Sequence, residues 1–92
     1  MAYIFEWDPA KARANARKHG ITFDEACTAF GDVLGVLLHD PDHSDLEPRY
    51  LLLAASNRGR LLVIAFAERP PRTRLISARQ ATRRERRMYE KG

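Results

Sequence analysis

The chain has 92 residues and a mass of 10.5 kDa, enough for one small domain, read here as residues 1–92, and one hydrophobic core. With 45% hydrophobic and 30% charged residues it is too apolar for a disordered chain, and its uncharged run Leu61 to Ala67 falls far short of the ~20 apolar residues that span a bilayer. Met1 to Glu6 has no secretory n-region or h-region, and the single cysteine, Cys27, excludes an internal disulfide and a Cys-rich zinc module, which leaves a soluble, cytoplasmic protein with a formal charge of +4.

Tyr3 to Trp7 alternates aromatic and other residues and reads as a first strand. Asp8-Pro9 then makes a helix start, Asp as N-cap and Pro at the first helical position, where its missing N–H costs nothing. Ala10 to His19 is rich in helix formers, and Gly20 suits the left-handed residue that closes such a helix. Thr22 and Glu25 have the spacing of a capping box for a second helix, on which Phe23, Ala26, Cys27 and Phe30 share one face before Gly31. Val33 to Leu38 reads as a strand ending in a polar loop, His39 to Asp45. Arg49 to Ser56, Arg60 to Glu68 and Thr73 to Ala78 follow as strands, linked by Asn57-Arg58-Gly59 and Pro70-Pro71. Links this short allow only antiparallel neighbours. Ser77 or Thr82 caps a last helix reaching about Tyr89, and Thr82 and Glu85 again have capping-box spacing.

The order β-α-α-β-β-β-β-α describes an α+β fold with a mainly antiparallel sheet. The two early helices are expected on one face. The opposite face is expected to be open, with the arginine-bearing strand ends and the basic last helix beside it.

Charge is unevenly placed along the chain. Residues 1–68 carry seven basic and ten acidic side chains, whereas residues 69–92 carry nine basic and two acidic ones. Thirteen of the sixteen cations are Arg, whose planar fork matches phosphate oxygens in pairs. Such a cluster points to RNA or DNA, or else to a solvated helix or an acidic protein partner. No P-loop, dinucleotide-binding, zinc-protease or nucleophile-elbow motif occurs. His39, Asp40, Asp42 and His43 offer metal-ligand atoms, but Pro41 and the absence of supporting residues favour a plain acidic surface loop, and no metal is assigned. Cys27, among Ala and Phe, reads as a buried small residue. Trp7 and Tyr89 can stack on bases or pack on neighbouring elements.

Cutting RNA without a metal needs a base for the 2′-OH proton, cations for the phosphate, and an acid for the departing oxygen. Glu68 or His19 can serve as base or acid, with Arg69, Arg74 and Arg79 holding the phosphate around Glu68 on the open face. Glu68 is the lone acid between residues 48 and 84. Read blandly, Glu68-Arg69 is a salt-bridged strand end and Lys18-His19 a cation pair at a helix C-terminus.

Phe5-Glu6-Trp7-Asp8-Pro9, Lys11, Asn15 and Lys18-His19-Gly20-Ile21-Thr22-Phe23-Asp24-Glu25-Ala26 resemble the opening of BrnT-type toxins. The second half agrees, in Gly59-Arg60-Leu61-Leu62-Val63, Glu68-Arg69, Arg74-Leu75-Ile76-Ser77-Ala78-Arg79 and Ala81 to Glu90. This resemblance implies a RelE-like fold and a ribonuclease toxin of a type II toxin–antitoxin pair that halts translation without metal or organic cofactor. It further implies a BrnA-like antitoxin that neutralises the toxin in a hetero-oligomer and contacts operator DNA to repress the shared operon. His19, Glu68, Arg69 and Arg79 carry over as catalytic-surface residues, and Lys18, Arg60 and Arg74 as RNA-binding cations. Pro70-Pro71 departs from the usual turn residues after Glu-Arg. A non-catalytic nucleic-acid-binding or co-repressor module is the competing reading from another class.

Overall fold

In the computed structural model, which describes residues 3–39 and 47–92, the expected order of elements is kept. The elements are β1 (Phe5–Glu6), α1 (Pro9–His19), α2 (Phe23–Ala29), β2 (Val36–His39), β3 (Arg49–Ala55), β4 (Leu61–Arg69), β5 (Arg72–Gln80) and α3 (Arg83–Lys91). One sheet runs in the order β1-β5-β4-β3-β2. Its hairpin-linked strands are antiparallel, while β1 joins the edge of β5 in parallel, Phe5 opposite Thr73 and Glu6 opposite Arg74.

Local chemistry accounts for the helix ends. Asp8 accepts a hydrogen bond from the Ala10 N–H at 2.9 Å, with Pro9 in the first turn, and Gly20, at φ 71°, closes α1 by donating to Ala16. Thr82 and Glu85 form both arms of a capping box on α3. At α2 only one arm exists: Thr22 accepts from the Glu25 N–H at 3.1 Å. The Glu25 carboxylate instead turns inward to Arg60 and to Ser56, whose hydroxyl donates to it at 2.7 Å. An ion pair from α2 to the β3–β4 turn displaces the local cap.

Two strands are shorter than the sequence suggests. β1 keeps only Phe5–Glu6, paired with Thr73 and Arg74, because Asp8 already caps α1 two residues later. The strand expected at Val33 begins at Val36 instead. Asp32 builds a turn there, its carboxylate accepting from Leu34 N–H and its carbonyl from Gly35 N–H, so that Val33 is left 95% exposed.

The helices α1 and α2 cover one face of the sheet. Ile21, Phe23, Ala26 and Ala29 pack there on Leu62, Ile64, Phe66, Leu75 and Ala78, and each large apolar side chain so buried contributes roughly 1.5–3 kcal/mol. Asn15 is buried among them and ties three elements together. Its amide donates to the Ile21 and Ala78 carbonyls, and its oxygen accepts from Ala78 N–H. The other face is not simply open: α3 lies across one end of it, Tyr89 packing with Leu53, Leu61 and Val63 and donating its hydroxyl proton to Asp32 at 2.6 Å. The remainder of that face is shared among the strands and carries Arg49 of β3, Arg69 of β4 and Arg74 and Arg79 of β5.

Candidate nucleic-acid interface

Arg74 and Arg79 are five residues apart on one strand, and strict alternation would send them to opposite faces. They share a face because β5 carries a bulge. Ala65 stands opposite Ser77 and Phe66 opposite Leu75, so Ile76 is the extra residue that shifts the pleat by one. Arg79 therefore stands opposite Val63, and Arg74 opposite Ala67, on the face that α3 partly covers. Arg49 also stands opposite Ala67, from the β3 side. Between the two arginine positions lie Ala65, Ser77 and the bulge residue Ile76, over a span of roughly 15 Å at about 3.3 Å per residue. The result is a basic strip along β4 and β5.

Arg69, Arg74 and Arg79 are each held by a carboxylate. The Arg79 guanidinium takes both oxygens of Glu85 at 2.8 Å, and this contact is the main reason the Glu85 carboxyl is pulled down to about 2. Arg69 donates through Nε and Nη2 to Glu47, at 2.9 and 3.1 Å, and holds that carboxyl below its ordinary value. Glu6 lies among three arginines, 3.3 Å from Arg74, 3.8 Å from Arg72 and 4.0 Å from Arg69. On α3, Arg83, Arg84, Arg86 and Arg87 are exposed and take no ion pair among the described residues.

The carboxylate at the centre of the arginine cluster is thus Glu6, not Glu68. Neighbours on a strand point to opposite faces, and Glu68 lines a cleft of about 240 Å³ on the helix side, with Tyr3, Phe30, Leu37, Leu52 and Phe66. The expectation that Arg69, Arg74 and Arg79 surround Glu68 is corrected on this point. Lys18 and His19 end α1, in the helix layer, Lys18 exposed and His19 half-buried. No hydrogen bond or ion pair among the described residues joins either of them to Arg69 or Arg79. Arg60 is also on the helix side: it clamps Glu25, 6% exposed, and reaches the Gly20 carbonyl at 3.3 Å. Of the residues singled out in the sequence, then, Arg69, Arg74 and Arg79 share one surface, while Glu68, Lys18, His19 and Arg60 stand apart from it. Glu6, Glu47 and Glu85 were missed. Only Glu85 left a sequence signal, in its capping-box spacing.

Other candidates resolve into packing. Trp7 meets Phe23 edge-on at 5.8 Å, and Tyr89 docks α3. Burial pushes the half-buried Cys27 thiol up to about 11, which keeps it neutral and unreactive. His39 packs edge-on against Tyr50, whereas Asp40, Asp42 and His43 lie outside the described residues, among which no cluster of three metal-ligating side chains occurs. No helix among the described residues is long and apolar enough to cross a membrane.

The family described as "Ribonuclease toxin, BrnT, of type II toxin-antitoxin system" matches residues 7–85, most of the chain. No curated protein matches it.

Proposed function

From the premise that this chain belongs to the BrnT family of ribonuclease toxins of type II toxin–antitoxin systems, we propose that residues 1–92 act as a single toxin domain that cleaves RNA without a metal on the α3 side of its sheet. Arg79 and the Arg69-Arg74 cluster grip the sugar–phosphate chain, and the exposed arginines of α3 draw it in. The observation that carries this reading is the Ile76 bulge, which turns Arg74 and Arg79 to one surface. Guanidinium groups supply there the positive charge that a metal ion would otherwise bring to a phosphate in the transition state. No proton-transfer group is assigned on this surface: His19 and Glu68, the candidates in the sequence, stand apart from these arginines, and substitution of each tests that reading. We further propose a BrnA-like antitoxin as the partner that neutralises the toxin, in a hetero-oligomer that represses its operon through the antitoxin's DNA contacts.

The test is cleavage of RNA by purified protein in EDTA. Wild type is expected to cleave, and Arg79→Ala to lose about a hundredfold or more in rate while its far-ultraviolet circular dichroism is unchanged. Cleavage that requires an added divalent ion refutes metal independence. Binding without any cleavage, weakening linearly with salt on log axes, supports the non-catalytic reading instead.

A further inference from the structure

We propose that Glu85 is a positioning residue, which grips one edge of the Arg79 guanidinium so that the edge left over is a two-pronged fork for a single phosphate. The inference rests on the reading that Arg79 contacts RNA, and it goes beyond that reading in saying how the arginine is aimed. A guanidinium carries five N–H bonds, one on Nε and two on each Nη. In Arg79 three of them are taken: Nη1 and Nη2 each donate to a Glu85 oxygen at 2.8 Å, and Nη1 also donates to the Gln80 carbonyl at 3.3 Å. The two without a partner among the described residues are Nε–H and the second Nη2–H. They lie parallel on one edge, the geometry that meets two non-bridging phosphate oxygens at once.

Arg60 and Arg69 make the contrast. Each closes that same Nε/Nη2 edge on a carboxylate, Arg60 on Glu25 and Arg69 on Glu47. Among the arginines held by two hydrogen bonds to one carboxylate, Arg79 alone keeps the fork available, and its side chain is 40% exposed. Glu85 is itself fixed. Its Oε1 also accepts from Thr82 N–H at 2.8 Å, Thr82 Oγ1 accepts from Glu85 N–H, and the Tyr89–Asp32 bond pins the far end of the helix. Glu85 thus cancels one unit of positive charge beside the substrate and fixes its direction in exchange.

That exchange makes the role testable by sign. In Glu85→Gln the strip gains net positive charge but loses the clamp. The inference predicts RNA affinity equal to or tighter than wild type, with kcat lowered roughly ten- to a hundredfold. If Glu85 acted only through its charge, kcat would be unchanged or would rise, and that result overturns the proposal. Thr82→Ala is the structural control: it removes the cap hydroxyl and leaves the clamp, so its melting temperature falls while kcat stays within about twofold of wild type. A Thr82→Ala loss of kcat as large as that of Glu85→Gln reduces Glu85 to a helix cap and also overturns it. A readout independent of cleavage separates this inference from the reading beneath it. The Arg79 Nε–H resonance of ¹⁵N-labelled protein, titrated with inorganic phosphate, is expected to shift and saturate in wild type but not in Glu85→Gln. If Arg79→Ala cleaves normally, the reading of the RNA site fails, and the resonance alone decides the fork. A resonance that does not move in wild type refutes it.

Discussion

Asn15 offers the sharpest test of how the two layers are joined. Its side chain is 7% exposed and makes three hydrogen bonds, to the Ile21 carbonyl at 2.9 Å, to the Ala78 carbonyl at 2.8 Å and from the Ala78 N–H at 3.0 Å. Asn15→Leu keeps the volume and removes every polar atom, leaving a buried N–H and two carbonyls with no room for water. At about 1 kcal/mol per bond, and more where a buried donor is stranded, the loss is about 3 kcal/mol. A domain of this size has roughly 5–14 kcal/mol in all. The same loss lowers the melting temperature by roughly 12–24 °C. Urea unfolding followed by circular dichroism measures it directly, with Lys11→Leu on the exposed side of the same helix as a control expected to stay within about 0.5 kcal/mol. An Asn15→Leu loss below about 1 kcal/mol, no different from the control, would show that α1 is held by apolar packing and that the three bonds add nothing to it.

Three further outcomes are expected. Glu68→Gln changes cleavage by less than about threefold, because Glu68 lies across the sheet from Arg69 and Arg79; a loss beyond about tenfold in a single-turnover assay refutes the one-surface reading. Glu85 has a folded-state carboxyl at about 2 against an ordinary 4.5, so its contribution to stability is present above 4.5 and drains away as pH falls through that window towards 2. Thermal melts from pH 5 to 2 should therefore be flatter for Glu85→Gln than for wild type, and curves of equal slope would contradict the Arg79 contact. Replacing Arg83, Arg84, Arg86 and Arg87 by Ala should reduce the slope of log affinity for single-stranded RNA against log salt by about 0.7 for each phosphate contact removed, whereas an unchanged slope would place those arginines away from the RNA.

The elements legible in the sequence are those specified within a few residues of themselves. Asp8-Pro9, Gly20 and the Thr82/Glu85 pair set helix ends through backbone groups two to four positions away, and the structure keeps all of them. Partners distant along the chain were not legible. Glu25 abandons its capping role for Arg60, 35 residues on, and Glu6 reaches Arg74 only because β1 adds itself to β5 in parallel. The Ile76 bulge has no signature in an apolar stretch, yet it decides which face Arg79 occupies. The position of Glu68 differs for another reason: strand alternation alone puts Glu68 and Arg69, neighbours in sequence, on opposite faces of the sheet.

A count of arginines therefore says little about chemistry here, because the acids determine what each arginine can do. Glu47 closes the fork of Arg69, Glu25 closes that of Arg60, and Glu85 takes the Nη1/Nη2 end of Arg79 instead. The carboxylates on the α3 side come from β1, from the residues before β3 and from the start of α3, so the surface exists only once both ends of the chain are folded onto the central hairpins. An unfolded chain of the same composition would still attract a polyanion through its net charge. Without Ile76 to turn the strand and Glu85 to aim its arginine, it would have no defined place to hold one phosphate, and positioning rather than attraction is what a cleavage reaction requires.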